Sequence, residues 1–331
     1  MLPGDARPPG DPTMRAMIRH RIGPLEAVGL RPLGRGLRQC WLALAGDPHT
    51  PPTQWDLSSL RIFRPRLGPL TWLGWRRPDR RAPILNLFNV EPAPRDAGYD
   101  VRVTFARDFR GGRLTYNGHM GVDFVVPVGT RVVAPAPAKV MRVENLMQRG
   151  GLKVVLDHGE GLVTLCNHLA RAEVEPGQRV LRGEPLGLSG FSSVDGLLTF
   201  PWVPPHVHFT ALLNGEPVDP FPAGGQPSLW RGGADPGPAR PDPDEPGWAP
   251  TEWDADAIDA SIAACLHPER RAELEALEGL EERAYALLYW RFFNYTAFDA
   301  HPPLYRRPAT RRPRLDLPFP PDEVTGVALP G

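Results

Sequence analysis

The chain has 331 residues, room for one large or two ordinary domains, and its 42 Pro and 34 Gly make up about 23% of it, near the level at which irregular segments are expected. Lys plus Arg equals Asp plus Glu at 38 each, so no global field draws the chain to nucleic acid or to an anionic membrane, and nucleic-acid binding is not expected. Three scattered cysteines, Cys40, Cys166 and Cys265, exclude a C-x-x-C zinc site, and no apolar run nears the roughly 18 residues of a membrane helix.

The N-terminus, MLPGDARPPGDPTMRAMIRHR, has no apolar h-region of a secretory signal, so the sequence on these grounds reads as soluble and cytoplasmic. Nearly all its basic residues are Arg; the lysines are Lys139 and Lys153. Residues 1–50, rich in Arg, Pro and Gly, are expected to form a loosely ordered arm. Residues 51–228 read as a β-rich domain. Short apolar runs at Ile84-Leu-Asn-Leu-Phe88 and at the alternating Tyr99–Phe105 predict its first strands.

Between His119 and Pro220 strand signals become dense, at Val122–Val126, Arg131–Ala134, Lys139–Val143, Leu152–Leu156, Leu162–Leu165, Gln178–Leu181 and His206–Leu213. Turn residues separate most of them, including Pro127-Val-Gly129, Arg149-Gly-Gly151 and His158-Gly-Glu-Gly161, at spacings that predict an antiparallel all-β domain. The Pro- and Asp-rich stretch 229–250 reads as a linker unable to bury enough apolar surface to fold alone. Beyond it Asp254–Leu266 and Pro268 to about Tyr295 predict two helices, followed by a Pro/Arg-rich tail over 299–331.

Five of the nine histidines, His119, His158, His168, His206 and His208, fall in the β-rich stretch. His119 and Asp123 form H-x-x-x-D. In a straight strand residues four apart lie roughly 13 Å from each other, too far to share a metal, so the backbone between them must bend, and Gly118 and Gly121 supply that freedom. His206 and His208 form H-x-H on one face of a strand that should begin at or near His206, because Pro204 and Pro205 cannot serve as central ladder residues. One of the pair can bind a metal while the other faces a metal-bound water. Two imidazoles and a carboxylate form a standard catalytic zinc set with the fourth position left for water, whose pKa falls to roughly 7. A general base is then needed, and His168 and His206 are the candidates. His158, in the turn Asp157-His-Gly-Glu-Gly161, reads as structural, and His20, His49, His267 and His301 receive no role.

In order, Gly118-His-Met-Gly-Val-Asp-Phe124, Pro127-Val-Gly-Thr-Arg-Val-Val-Ala134, Leu156-Asp-His-Gly159, His168-Leu169, Val174–Gly187, His206-Val-His-Phe209 and Val218-Asp-Pro220 resemble the lysostaphin-type, LytM-like zinc endopeptidases of bacterial peptidoglycan. The resemblance, centred on residues 112–222, implies a mainly β fold: an antiparallel sheet or sandwich of the duplicated hybrid type, here with a small helical region at 251–298 and Pro/Arg-rich arms. It implies one zinc ion held by His119, Asp123 and His208, with His168 and His206 assisting the water and the oxyanion. It implies a peptide or peptidoglycan substrate and action in the cell envelope. Degenerate members act instead as non-catalytic modules that bind cell wall or regulate a partner hydrolase. A third reading, an intracellular zinc hydrolase, follows from the missing export signal.

Two departures carry expectations of their own. Cys166 stands where the family has an aromatic residue and should alter the floor of the cleft. The segment Phe191–Pro205 is longer than the family's loop and should line the substrate groove. Tyr116 reads as a surface tyrosine, with a role as a hydrogen-bond donor beside the metal as the alternative.

Overall fold

The computed structural model describes residues 22–46, 54–89, 101–103, 109–110 and 117–329. Its centre is an antiparallel sheet in which nine strands join among the described residues. The strands are β2 (Val122–Val125), β3 (Arg131–Val133), β4 (Ala138–Leu146), β5 (Gly151–Asp157), β6 (Leu162–Ala172), β7 (Arg179–Val180), β8 (Pro185–Ser189), β9 (His206–Leu213) and β10 (Glu216–Val218). The main path runs β10-β9-β6-β5-β4-β7, with β2 on β9 and β8 bridging β3 and β6. A parallel pair joins β1 (Arg81–Pro83) to β11 (Gly326–Ala328). The mainly β, antiparallel architecture read from the sequence is therefore the one observed. The short strands β8 and β10, which carry little apolar alternation, are additional to the predicted ones.

The long strand β6 organises the rest. Its residues 162–167 pair with β9, in the register Leu162↔Leu213 to Asn167↔His208, whereas Leu169 to Ala172 pair with β8. The two ladders meet at His168, whose φ of 63° puts a non-glycine residue in the left-handed region. Such a local break in a ladder re-aims a side chain and is held only where surrounding structure over-determines it.

Alternation along the strands sorts side chains to two faces. Val122, Phe124, Val154, Leu156, Leu162, Cys166, Val207, Phe209 and Ala211 share one core with Trp230, Leu315, Leu317 and Phe319. Val155, Val163, Leu165 and Leu212 face the other way and pack with helices α5 (Ala255–Ala263), α6 (Pro268–Glu275) and α7 (Leu280–Phe293). The predicted second helix is thus two, divided at Ala276–Gly279, where Gly279 caps α7 in an extended conformation. Gly at that point carries a helix-propensity cost that favours the break.

Three further expectations are corrected. The N-terminal stretch holds helices α1 (Pro24–Ala27) and α2 (Leu33–Ala45), the latter fixed by Gln39, which donates to the Asn145 carbonyl (3.2 Å) and accepts from Met147 N (3.1 Å). Residues 1–21 lie outside the described residues. The stretch 229–250 and the tail are not free strands of polypeptide either. Trp230 is fully buried and bridges to Leu315, and Pro238 bridges to Leu317. The physical reason is Arg182, whose buried guanidinium pairs with Glu245 at 2.5 Å from one segment and Asp316 at 2.7 Å from the other. A charge removed from water is stable only with such complete pairing, so both carboxylates are drawn to it.

Of the predicted first strands, Ile84 bridges to Phe124, and most of Tyr99–Phe105 lies outside the described residues. No helix among the described residues is long and apolar enough to cross a membrane.

On the helical face Lys153 is fully buried opposite Glu144 and 3.5 Å from the Tyr289 hydroxyl. Burial pushes its pKa down to about 7, with Arg149 and Arg142 adding to the effect against the attraction of Glu144. The folded state then carries the full penalty of a buried ammonium below pH 7, and the penalty fades as pH rises from 7 toward the ordinary lysine value, because the unfolded chain keeps its proton there. Lys153→Met should raise stability in urea unfolding at pH 6 by about 1 to 3 kcal/mol, with the gain shrinking toward pH 10. A variant destabilised at both pH values would show that the ammonium's partners outweigh its burial.

Candidate metal centre

Strand β2 begins only at Val122, so Asp123 is a strand residue while His119 belongs to the turn before it. Gly118 at φ 74° makes that turn, and the H-x-x-x-D pair closes to 3.2 Å between His119 Nε2 and Asp123 Oδ2. Gly121 has a different role from the freedom expected of it. A Cβ there would lie 2.7 Å from His208 Nε2 and 2.6 Å from the Phe209 carbonyl oxygen, so its missing side chain is the space His208 occupies.

Strand β9 begins at His206, directly after the two prolines, and pairs Asp123 with His208 across the ladder. Asp123 alternates with Val122 and Phe124 of the core, so its carboxylate points to the opposite face, where His206 and His208 also point. Asp123 Oδ1 lies 2.9 Å from His208 Nδ1 and 3.7 Å from His206 Nε2. The ligand atoms of His119, Asp123 and His208 all fall within 4.8 Å of one another. His168 completes the cluster, its ring centroid 4.8 Å from that of His206 and 5.9 Å from that of His208.

Backbone carbonyls orient the imidazoles. His119 Nδ1 donates to the Leu87 carbonyl at 2.8 Å, His206 Nδ1 to Pro204 at 2.9 Å, and His168 Nδ1 to Ser192 at 3.3 Å. Each bond puts a proton on Nδ1 and turns Nε2 toward the site. His208 is turned the other way: Nδ1 faces Asp123 and Nε2 meets the Thr210 hydroxyl at 3.1 Å.

The carboxylate and imidazoles tune one another. Burial alone would raise the Asp123 pKa, but His119 and His206 beside it hold it well below the usual carboxylate range. Burial opposes charge on His119 as well, yet the Asp123 carboxylate outweighs it and raises that pKa. His168 goes the other way: burial first, then His206 and His208, push its pKa well below the ordinary value. Burial lowers His208 too.

Asn86 and Thr210 are additional to the residues expected from the sequence. Asn86, 4% exposed, donates from Nδ2 to Asp123 Oδ2 at 3.0 Å, and its carbonyl accepts from Asp123 N at 2.9 Å. The available signal was a lone amide inside the apolar run Ile84–Phe88. His158 is structural as expected, buried between the Pro137 carbonyl and the Thr164 hydroxyl, with burial lowering its pKa to about 3. Cys166 corrects an expectation: it packs in the core with Phe209 on the face away from the histidines and forms no part of the cleft floor. Tyr116, His20 and His49 lie outside the described residues.

The space in front of the cluster is small, a cavity of about 20 Å³. Its walls include Ile62 and Val101 together with Phe191, Asp195, Thr199 and Val203 of the long segment, which holds the short helix α4 (Val194–Leu198). That segment is clamped by helix α3 (Leu67–Trp72) and the residues leading into it: Trp72 Nε1 donates to the Val203 carbonyl at 3.0 Å, and Arg64 N to that of Trp202 at 2.8 Å.

Residues 117–220 match peptidase family M23 and hold all five clustered residues. An uncharacterized metalloprotease of Haemophilus influenzae is 37% identical over 103 residues, 31% of this chain and 20% of that protein. The peptidoglycan DD-endopeptidase ShyA of Vibrio cholerae is 35% identical over 105 residues, 32% of this chain and 23% of its own length. The match therefore spans less than a third of the length of these curated relatives. Among solved structures, the catalytic domain of lysostaphin from Staphylococcus simulans aligns at 28% identity with a TM-score of 0.28, covering 31% of this chain and 77% of that one. Residues 117–220, by sequence match and by the residues they bring together, are a peptidase family M23 domain of the LytM-like kind.

Proposed function

We propose that this domain is a zinc-dependent endopeptidase that hydrolyses peptide bonds in peptidoglycan cross-links. The observation that carries the reading is the convergence of His119, Asp123 and His208 within 4.8 Å, with two further imidazoles beside them. The donor set fits the metal: two imidazole nitrogens and one carboxylate oxygen are a standard catalytic zinc set. The relatives named as peptidoglycan DD-endopeptidases support the substrate class.

His119 would bind through Nε2 and His208 through Nδ1, with Leu87 and Thr210 holding the opposite ring nitrogens. A zinc ion there supplies Lewis acidity that makes water a nucleophile near neutral pH and polarises a carbonyl. His168, kept neutral by burial and by its imidazole neighbours, takes a proton from water through Nε2. His206, whose Nε2 is turned to the site, is the oxyanion partner, a role that requires the imidazolium form, with Nδ1 donating to Pro204 and Nε2 to the carbonyl oxygen as that oxygen gains negative charge. Asn86 fixes the rotation of the Asp123 carboxylate.

One observation favours a second reading, a non-catalytic module that binds cell wall or regulates a partner hydrolase: a cavity of about 20 Å³ holds a water but not a peptide. On the first reading the segment 191–205 and the Ile62 side must part for substrate to enter.

Elemental analysis of the purified chain should find stoichiometric zinc, and His208→Ala should lose both the zinc and the release of peptides from peptidoglycan. Zinc without peptide release in the unaltered protein would favour the second reading, and a protein without zinc would overturn the central one. His168→Asn should keep its fold, because Asn tolerates the left-handed backbone, while kcat falls about 10²- to 10⁴-fold; retained activity would remove His168 from the mechanism. Asn86→Ala should weaken zinc affinity by about 10- to 100-fold in a competition titration without unfolding the chain.

A further inference from the structure

Helix α2, Leu33–Ala45, sits on the protein through a side other than its Leu and Trp stripe. Gly36, Gln39 and Ala43 are its buried residues, and Gln39 makes the two hydrogen bonds that hold it to β4 and the turn after it. The neighbouring stripe of Leu33, Leu37, Trp41 and Leu44 is 49, 55, 69 and 47% exposed. At 3.6 residues per turn these four side chains fall within a sector of about 80°. An ordinary surface helix turns such a stripe to the core. Here the packing face is already occupied by other residues, so the stripe is not needed to seat the helix.

Charge around the stripe has one sign. Arg31, Arg35 and Arg38 are exposed, and no Asp or Glu occurs from Ala27 to Gly46, although the chain as a whole is balanced at 38 charges of each kind. A second copy docked through this face would oppose arginines to arginines. Leu and Trp on one side with Arg beside them is the composition of helices that lie in the headgroup layer of a bilayer. At 13 residues the helix is about 20 Å long, which suits lying flat and not spanning.

We propose that α2 docks this chain on an anionic lipid surface, with Leu33, Leu37, Trp41 and Leu44 entering the boundary between headgroups and acyl chains and Arg31, Arg35 and Arg38 meeting lipid phosphates. The proposal is independent of the metal centre.

The test is sedimentation of the full chain with vesicles of phosphatidylglycerol and phosphatidylethanolamine, beside vesicles of phosphatidylcholine alone, at low and high salt. Binding should require the anionic lipid, and each arginine neutralised should weaken it about five-fold. The pair Arg35→Glu and Arg38→Glu should therefore abolish sedimentation, and the pair Leu37→Gln and Trp41→Gln should weaken it about ten-fold or more. All four positions are solvent-exposed and outside the metal site, so zinc content and thermal unfolding should stay unchanged in both variants. The proposal is overturned if the chain ignores anionic vesicles, if either double variant binds as the unaltered chain does, or if phosphatidylcholine binds equally well. It is also overturned if the Leu37/Trp41 pair instead abolishes a concentration-dependent dimer.

Discussion

The site depends on one carboxylate removed from water. Asp123 is 1% exposed, and a charge buried so deeply is tolerated only where every oxygen is met. Its Oδ2 takes Asn86 and His119, and its Oδ1 takes His208 and faces His206. The four partners come from three places in the chain: the 84–89 run, the turn before β2, and β9. The constraint therefore links three segments at once. The same arrangement raises the pKa of His119 and lowers that of Asp123, so that without a metal the pair shares its charge internally. A divalent cation held between them would take over that role and displace a proton.

The second ordering element is the change of partner along β6. While Asn167 still pairs with His208 of β9, Leu169 already pairs with Ser189 of β8, and His168 absorbs the change with a left-handed backbone. A regular strand at that point would turn its imidazole according to the ladder's alternation. The broken ladder instead sets it 4.8 Å from the His206 ring, with Ser192 fixing its tautomer. Local strain and the position of a proposed catalytic group thus have one cause.

The sheet face carrying these groups is shared. His206, His208, Thr210 and Leu212 alternate on one side of β9, yet only Leu212 lies under the C-terminal helices. The other end is covered by Ile62, Val101 and the segment around Phe191 and Val203, which form a small apolar cluster of their own. The helices and the segments over the site are therefore neighbours on a single face, and the N-terminal residues that wall the cavity are as much part of the site's surroundings as the β-strands are.

Motif spacing and periodicity were enough to read the antiparallel β fold, the start of β9 at His206, and the five residues His119, Asp123, His168, His206 and His208, because a period of two and a proline stop are local properties. The same local reasoning misjudged the arm, the linker and the tail. Their composition is that of irregular chain, and only distant partners such as Arg182 with Glu245 and Asp316, or Trp230 with Phe124 and Phe209, explain why they are held. It also misplaced Cys166, since which face a residue serves depends on the strand's register with β9 and β5 and not on its distance from a histidine. By itself the sequence determined the strand-forming segments and the side-chain types proposed to hold a metal, which follow from local alternation, turn chemistry and motif spacing. Only the tertiary structure decided that Asn86 orients the Asp123 carboxylate, that His168 turns inward at a broken ladder, and that the site lies behind a clamped segment, because each of these rests on contacts between residues far apart in the chain.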